Sequence, residues 1–174
     1  MKRTKKITLC ATFAALITVL MLTAYFPYLT YAIPALSGAL TIIPLVEFGK
    51  KYGFATFLAS ILPVLLFCEI EAKLMYLCLF GWYPVLKAVF ENLKSRALEY
   101  LLKFLTFNAS LIAVYGGLSK LFGLNLLEGE TGIYIVVFAL AVGNIAFLLY
   151  DICLSRLAVF YLYRLRKLFA KFFN

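Results

Sequence analysis

Residues 7–26 carry no charge and are mostly apolar, a run of about the length that crosses a bilayer as a helix. Lys2, Arg3, Lys5 and Lys6 precede it, and such a basic cluster favours a cytoplasmic N-terminus. A secretory leader would have a shorter apolar core ending at a small-residue cleavage site. This run is longer and is followed by further apolar runs, so it reads as a retained span. Ala11 and Ala15 form a small-xxx-small pair on one face of it. In lipid, where no hydrophobic force joins helices, such faces let backbones approach closely.

Five more apolar runs follow, at 31–48, 54–68, 74–90, 98–121 and 133–155, and a basic tail occupies 156–174. Pro44 and Pro63 fall inside the second and third runs, where a missing N–H predicts a kink or an interruption. Pro27 and Pro34 bracket Tyr28 and Tyr31 in a first outer loop. Glu69, Glu71 and Lys73 mark an outer turn, and Glu128 and Glu130 mark the acidic stretch 123–132. Lys87, Glu91, Lys94, Arg96, Glu99 and Lys103 recur at near-helical spacing. They predict an amphipathic inner connector with an i,i+4 pair at Glu99 and Lys103.

Apolar residues make up 65% of the chain, against about 45–50% in a soluble domain. Water cannot cover such a chain, so it reads as an all-α integral membrane protein of the cell membrane, a single transmembrane domain over 1–174. With six spans and both termini cytoplasmic, 15 of the 17 lysines and arginines fall on the inner side and only Lys73 and Lys120 fall outside. The opposite orientation reverses the positive-inside bias.

The same distribution explains the net charge of +9. The cations stand in short clusters between apolar runs, where they orient helices, and leave no basic stripe for nucleic acid. Membrane lipid is the expected surrounding. Four cysteines lie in or beside apolar runs without a CxxC pair, and histidine is absent. The cysteines read as packing residues, and no metal site or cofactor is expected. No catalytic motif or nucleotide-binding loop appears, so the chain reads as a non-enzyme and any ATPase has to come from a partner.

Polar groups inside the bilayer are costly and each needs an account. Asn108 and Asn144 fall near the middle of the fifth and sixth runs, either bonding across helices or contacting a ligand. Asp151 lies in the inner half of the last run, either paired with an inner base such as Lys87 or coupling a proton. Tyr25, Tyr28, Tyr31, Glu69, Glu71, Lys73, Tyr76, Trp82 and Tyr115 belong to the outer half. Singly these aromatics suit an interfacial belt; together they suit the wall of a small-molecule pocket.

Six spans, inner termini, a first outer loop, and Ala11/Ala15 and Ala55/Ala59 at the inner ends of the first and third runs are a combination with a precedent. The chain resembles the S component, the substrate-binding subunit, of energy-coupling-factor importers for vitamins and other micronutrients. That resemblance implies a bundle capturing a small-molecule solute from outside. Tyr28, Tyr31, Glu69, Lys73, Trp82, Asn108, Tyr115 and Asn144 are the candidate solute contacts. It also implies that Ala11, Ala15, Ala55 and Ala59 dock on a transmembrane coupling subunit driven by two ATPase subunits. The fold implied is similar as well to small envelope scaffolds such as the rod-shape protein MreD, which leaves a non-transport scaffold holding cytoplasmic or membrane partners as the alternative.

Overall fold

The computed structural model describes residues 3–26, 29–93, 95–122 and 130–166, and every regular element among them is helical. In order these are α1 (Arg3–Leu22), α2 (Ala32–Leu40), α3 (Ile42–Phe48), α4 (Lys50–Phe67), α5 (Ile70–Met75), α6 (Tyr83–Phe90), α7 (Arg96–Phe122) and α8 (Glu130–Phe160). A 3-10 turn, Thr23–Tyr25, closes α1, and π-helical turns follow α5 (Tyr76–Phe80) and α8 (Tyr161–Leu165).

Among the described residues, five helical stretches are long and apolar enough to cross a membrane: Arg3–Tyr25, Lys50–Phe67, Ile70–Phe90, Arg96–Val114 and Leu140–Arg164; Ala32–Phe48 is a shorter apolar helix. In the most apolar 18 residues of each, only 22% to 39% are buried inside the protein. The outer surface is therefore largely apolar, which suits lipid rather than water. Thr8, Thr12 and Thr18 fit such a surface because each hydroxyl donates to the carbonyl four residues back in its own helix, as the buried Thr56 hydroxyl also does.

The prolines act differently from one another. The expected kink at Pro44 appears as a break at Thr41, which divides α2 from α3. A proline ring clashes with the carbonyl four residues back, here that of Leu40, so the helix stops there and Pro44 enters the first turn of a new one. The Thr41 hydroxyl and N–H both donate to the Gly38 carbonyl, at 2.7 and 3.1 Å, and close the break. Pro63, expected to interrupt its run, instead sits inside an unbroken α4. Gly49, at φ 92°, reverses the chain between α3 and α4 in a conformation that favours glycine. The expected inner connector is also shorter than its charge spacing suggests: α6 ends at Phe90 and α7 has begun by Arg96, so Glu99 and Lys103 belong to the long α7.

Contacts fix the helix directions. The Cys10 thiol approaches the Tyr52 carbonyl and the Tyr25 hydroxyl donates to the Phe67 carbonyl, both at a separation of 42 residues, so α1 and α4 run parallel. Asn108 meets Asn144 while Lys103 meets Asp151, so α7 and α8 run antiparallel. Two apolar cores result. One joins Ile17 and Met21 of α1 to Phe57 and Val64 of α4, Ile33 of α2 and Tyr76. The other joins Leu79 and Tyr83 to Phe107, Leu111 and Val114 of α7 and Phe147 and Leu154 of α8.

Candidate functional site

Asp151 is the centre of the most concentrated polar chemistry in the bundle. It is 9% exposed on α8, and Lys87 and Lys103 beside it are 5% and 3% exposed. One carboxylate oxygen accepts from the Tyr83 hydroxyl at 2.6 Å and from the Lys87 ammonium at 2.5 Å; the other accepts from Lys103 at 3.0 Å. Glu91 reaches Lys87 at 2.9 Å and Glu99 reaches Lys103 at 2.7 Å. Helix geometry assembles the group: Tyr83, Lys87 and Glu91 recur at i,i+4, as do Glu99 and Lys103. Two ammonium groups thus share three carboxylates, and both Asp151 oxygens accept at least one hydrogen bond. The pairing of Asp151 with Lys87 is the one read from sequence. Tyr83 and Lys103 were missed as partners; Tyr83 stands one turn before Lys87, a spacing that a belt tyrosine could share.

Asn108 and Asn144 bond reciprocally across α7 and α8, at 3.1 and 3.2 Å. Each amide nitrogen also donates, at 2.8 Å, to the carbonyl four residues back in its own helix, Phe104 and Leu140. Both hydrogens of both amides are therefore in use.

The residues expected to face outward divide. Tyr31 approaches Glu71 at 3.5 Å, and Tyr25 closes α1 against the end of α4 at Phe67. Glu69 caps α5, accepting from the backbone of Glu71 and Ala72 at 3.1 and 2.9 Å. Lys73 donates back to the Leu65 carbonyl at 3.4 Å. These four segments meet at one end of the bundle, and the charges of Glu69 and Lys73 help to close its α4–α5 turn. Trp82 lines a separate cleft of about 480 Å³ between the π turn and α7, whose lining includes none of them. Tyr28 lies outside the described residues, and Tyr115 is placed on α7 by its backbone alone. The basic tail beyond residue 166 also lies outside them.

Three of the four alanines fall together. Ala11 and Ala15 on α1 and Ala55 and Ala59 on α4 are all exposed. Ala11, Ala15 and Ala59 line a groove of about 410 Å³, joined by Ala14, Thr18, Val19 and Pro63. Because α1 and α4 are parallel, the two small-residue faces lie side by side in the same direction. Among the described residues, no group of three or more Cys, Asp or Glu side chains could hold a metal ion.

Compared with known proteins, the chain matches no family model, no curated protein and no solved structure.

Proposed function

We propose that the chain crosses the cell membrane six times with both termini cytoplasmic, and serves as the substrate-binding subunit of an energy-coupling-factor type importer for a vitamin or other micronutrient. In this reading Ala32–Phe48 is the second crossing, and it pairs with the helices around it to cover its shorter length. Solute enters from the side of Tyr31, Glu69 and Lys73. Ala11, Ala15, Ala55 and Ala59 receive a coupling subunit, and two ATPase subunits bound to that partner supply the energy.

The observation that carries this reading is the α1/α4 groove. Apart from Val19 and Pro63 its lining is alanine and threonine, and small-residue surfaces are where membrane helices approach closely. Affinity purification of the tagged chain from its native membranes is the test. A coupling subunit and an ATPase pair are expected with the wild-type chain and are lost with Ala15→Phe and with Ala59→Phe. Both positions are exposed, so folding is expected to survive either change. Partners retained by both variants contradict the docking assignment.

A second reading, the envelope scaffold, is favoured by the Asn108–Asn144 pair. Amides whose donors are consumed by each other and by their own helices hold a bundle together without a ligand. Envelope-assembly proteins in place of an ATPase pair in the same purification support that reading over the importer.

A further inference from the structure

We propose that the cleft between the π turn and α7 binds one acyl chain of a bilayer phospholipid, laid along α7. The assignment needs only the membrane setting of α5 to α7 and is independent of the importer reading.

One wall is the π turn Tyr76–Phe80, closed by the Gly81 N–H donating to the Tyr76 carbonyl at 2.8 Å. A π turn carries one residue more than an α turn and sets Leu77 and Cys78 off the path that α5 and α6 would otherwise share. Trp82 ends this wall, its indole N–H donating to the Cys78 carbonyl at 2.9 Å. The opposite wall is α7, where Thr106, Ala109, Ser110 and Ala113 are small. Of the large residues of α7 nearby, Leu105, 62% exposed, edges the cleft, and Ile112, 72% exposed, is not part of its lining. The surface between the two walls is recessed by about a side chain, over the nine residues from Leu105 to Ala113 or about 12 Å of helix.

The chemistry of the lining selects the occupant. No charged side chain lines the cleft. The Thr106 hydroxyl donates to the Leu102 carbonyl at 2.7 Å, and the Trp82 N–H is likewise taken. Apart from the Ser110 hydroxyl the lining offers a polar solute little to replace the hydrogen bonds it loses on leaving water. An acyl chain needs none, and its methylenes supply the dispersion contacts that an unfilled recess lacks. Depth agrees: the cleft flanks Asn108 and ends two residues before the Lys103 ion pairs, within the hydrocarbon region of the proposed threading. A partner helix fits poorly. At 10–12 Å across, a helical segment of this length occupies about twice the cleft volume or more, so it would rest over the recess rather than in it.

Trp82 is the sole tryptophan, so its fluorescence reports on the cleft directly. The full chain is reconstituted in phosphatidylcholine vesicles, with or without bromines at mid-chain. Brominated lipid is expected to quench Trp82, with a linear dependence on its mole fraction, as occupancy by one chain requires. Ala109→Leu and Ala113→Leu, both at exposed positions, extend side chains into the recess. Each is expected to reduce the quenching roughly twofold with helix content unchanged, since bulk lipid then reaches only one side of the indole. An unquenched wild type, a steeper-than-linear dependence or equal quenching in wild type and a folded variant overturns the assignment. So does quenching relieved by raising the protein-to-lipid ratio, which would mark a second copy as the occupant. The mole-fraction dependence is read on the wild type and decides even if a variant does not fold.

Discussion

Asp151→Ala is expected to destabilise the bundle by about 3–5 kcal/mol, the cost of stripping a buried ion pair of one partner. Lys87 and Lys103 are nearly inaccessible, and without Asp151 neither ammonium can turn to water. Glu91 and Glu99 still reach them, but from the more exposed side of the cluster. The Tyr83 hydroxyl loses its acceptor as well. Unfolding by denaturant in detergent micelles, compared with wild type, measures the loss. Replacing the three most buried charges with apolar residues of similar volume, Asp151→Leu with Lys87→Met and Lys103→Met, together with Glu99→Gln to remove the charge that Lys103 pairs, is expected to recover most of it, because a buried ion pair contributes little net stability over a well-packed apolar substitute. A loss under about 1 kcal/mol in the single variant would mean that water solvates the cluster, as it does an exposed pair.

Gly38→Val is expected to be comparably damaging for a different reason. A Cβ at Gly38 collides with the carbonyl oxygen of Phe80, lies 2.8 Å from that carbonyl carbon and 3.1 Å from the Tyr150 hydroxyl. The first two are backbone atoms of the π turn and cannot swing away. Tyr150 is held where it is by its own bond to the Ala35 carbonyl. The helices must separate at the point where α2 meets the π turn. Overpacking of this kind costs about 1–3 kcal/mol for an added methyl group or two, and sometimes more where the backbone must shift. Gly38→Ala is expected to cost less than Gly38→Val, whereas Gly49→Ala introduces no contact within 4 Å and is disfavoured only by its positive φ. The same unfolding measurement ranks the three, and a Gly38→Val variant as stable as wild type would show that α2 and the π turn can part freely.

The apolar runs were legible because bilayer length and helix rise together set a scale that few other folds share. The Asp151–Lys87 pair was legible for a related reason: a carboxylate in an apolar run demands a cation, and few stand at that depth. Tyr83 was not, since a tyrosine near a membrane interface reads equally well as a belt residue. Pro44 announced a defect, but the defect falls at Thr41 because the ring strikes the carbonyl one turn earlier. Pro63 carried the same signal and yet lies within a continuous α4, packed along α1. The π turn at Tyr76–Phe80 had no sequence signature, since it differs from an α turn only in which carbonyl each N–H selects. Glu69 and Lys73 looked like ligand contacts by charge and place, but both bond to the backbone at the α4–α5 turn, a role that depends on where the helix ends.

The threading of the chain underlies the placement of the docking groove, the acyl-chain cleft and the buried cluster alike. Reporter fusions after Lys51 and after Glu71 test it most directly, using alkaline phosphatase, active only outside, and a fluorescent protein, bright only inside. With α4 crossing the membrane from its basic start to its acidic end, the Lys51 fusion is expected to fluoresce and the Glu71 fusion to show phosphatase activity. Both fusions reporting the same compartment, or the two in reversed compartments, would contradict the account.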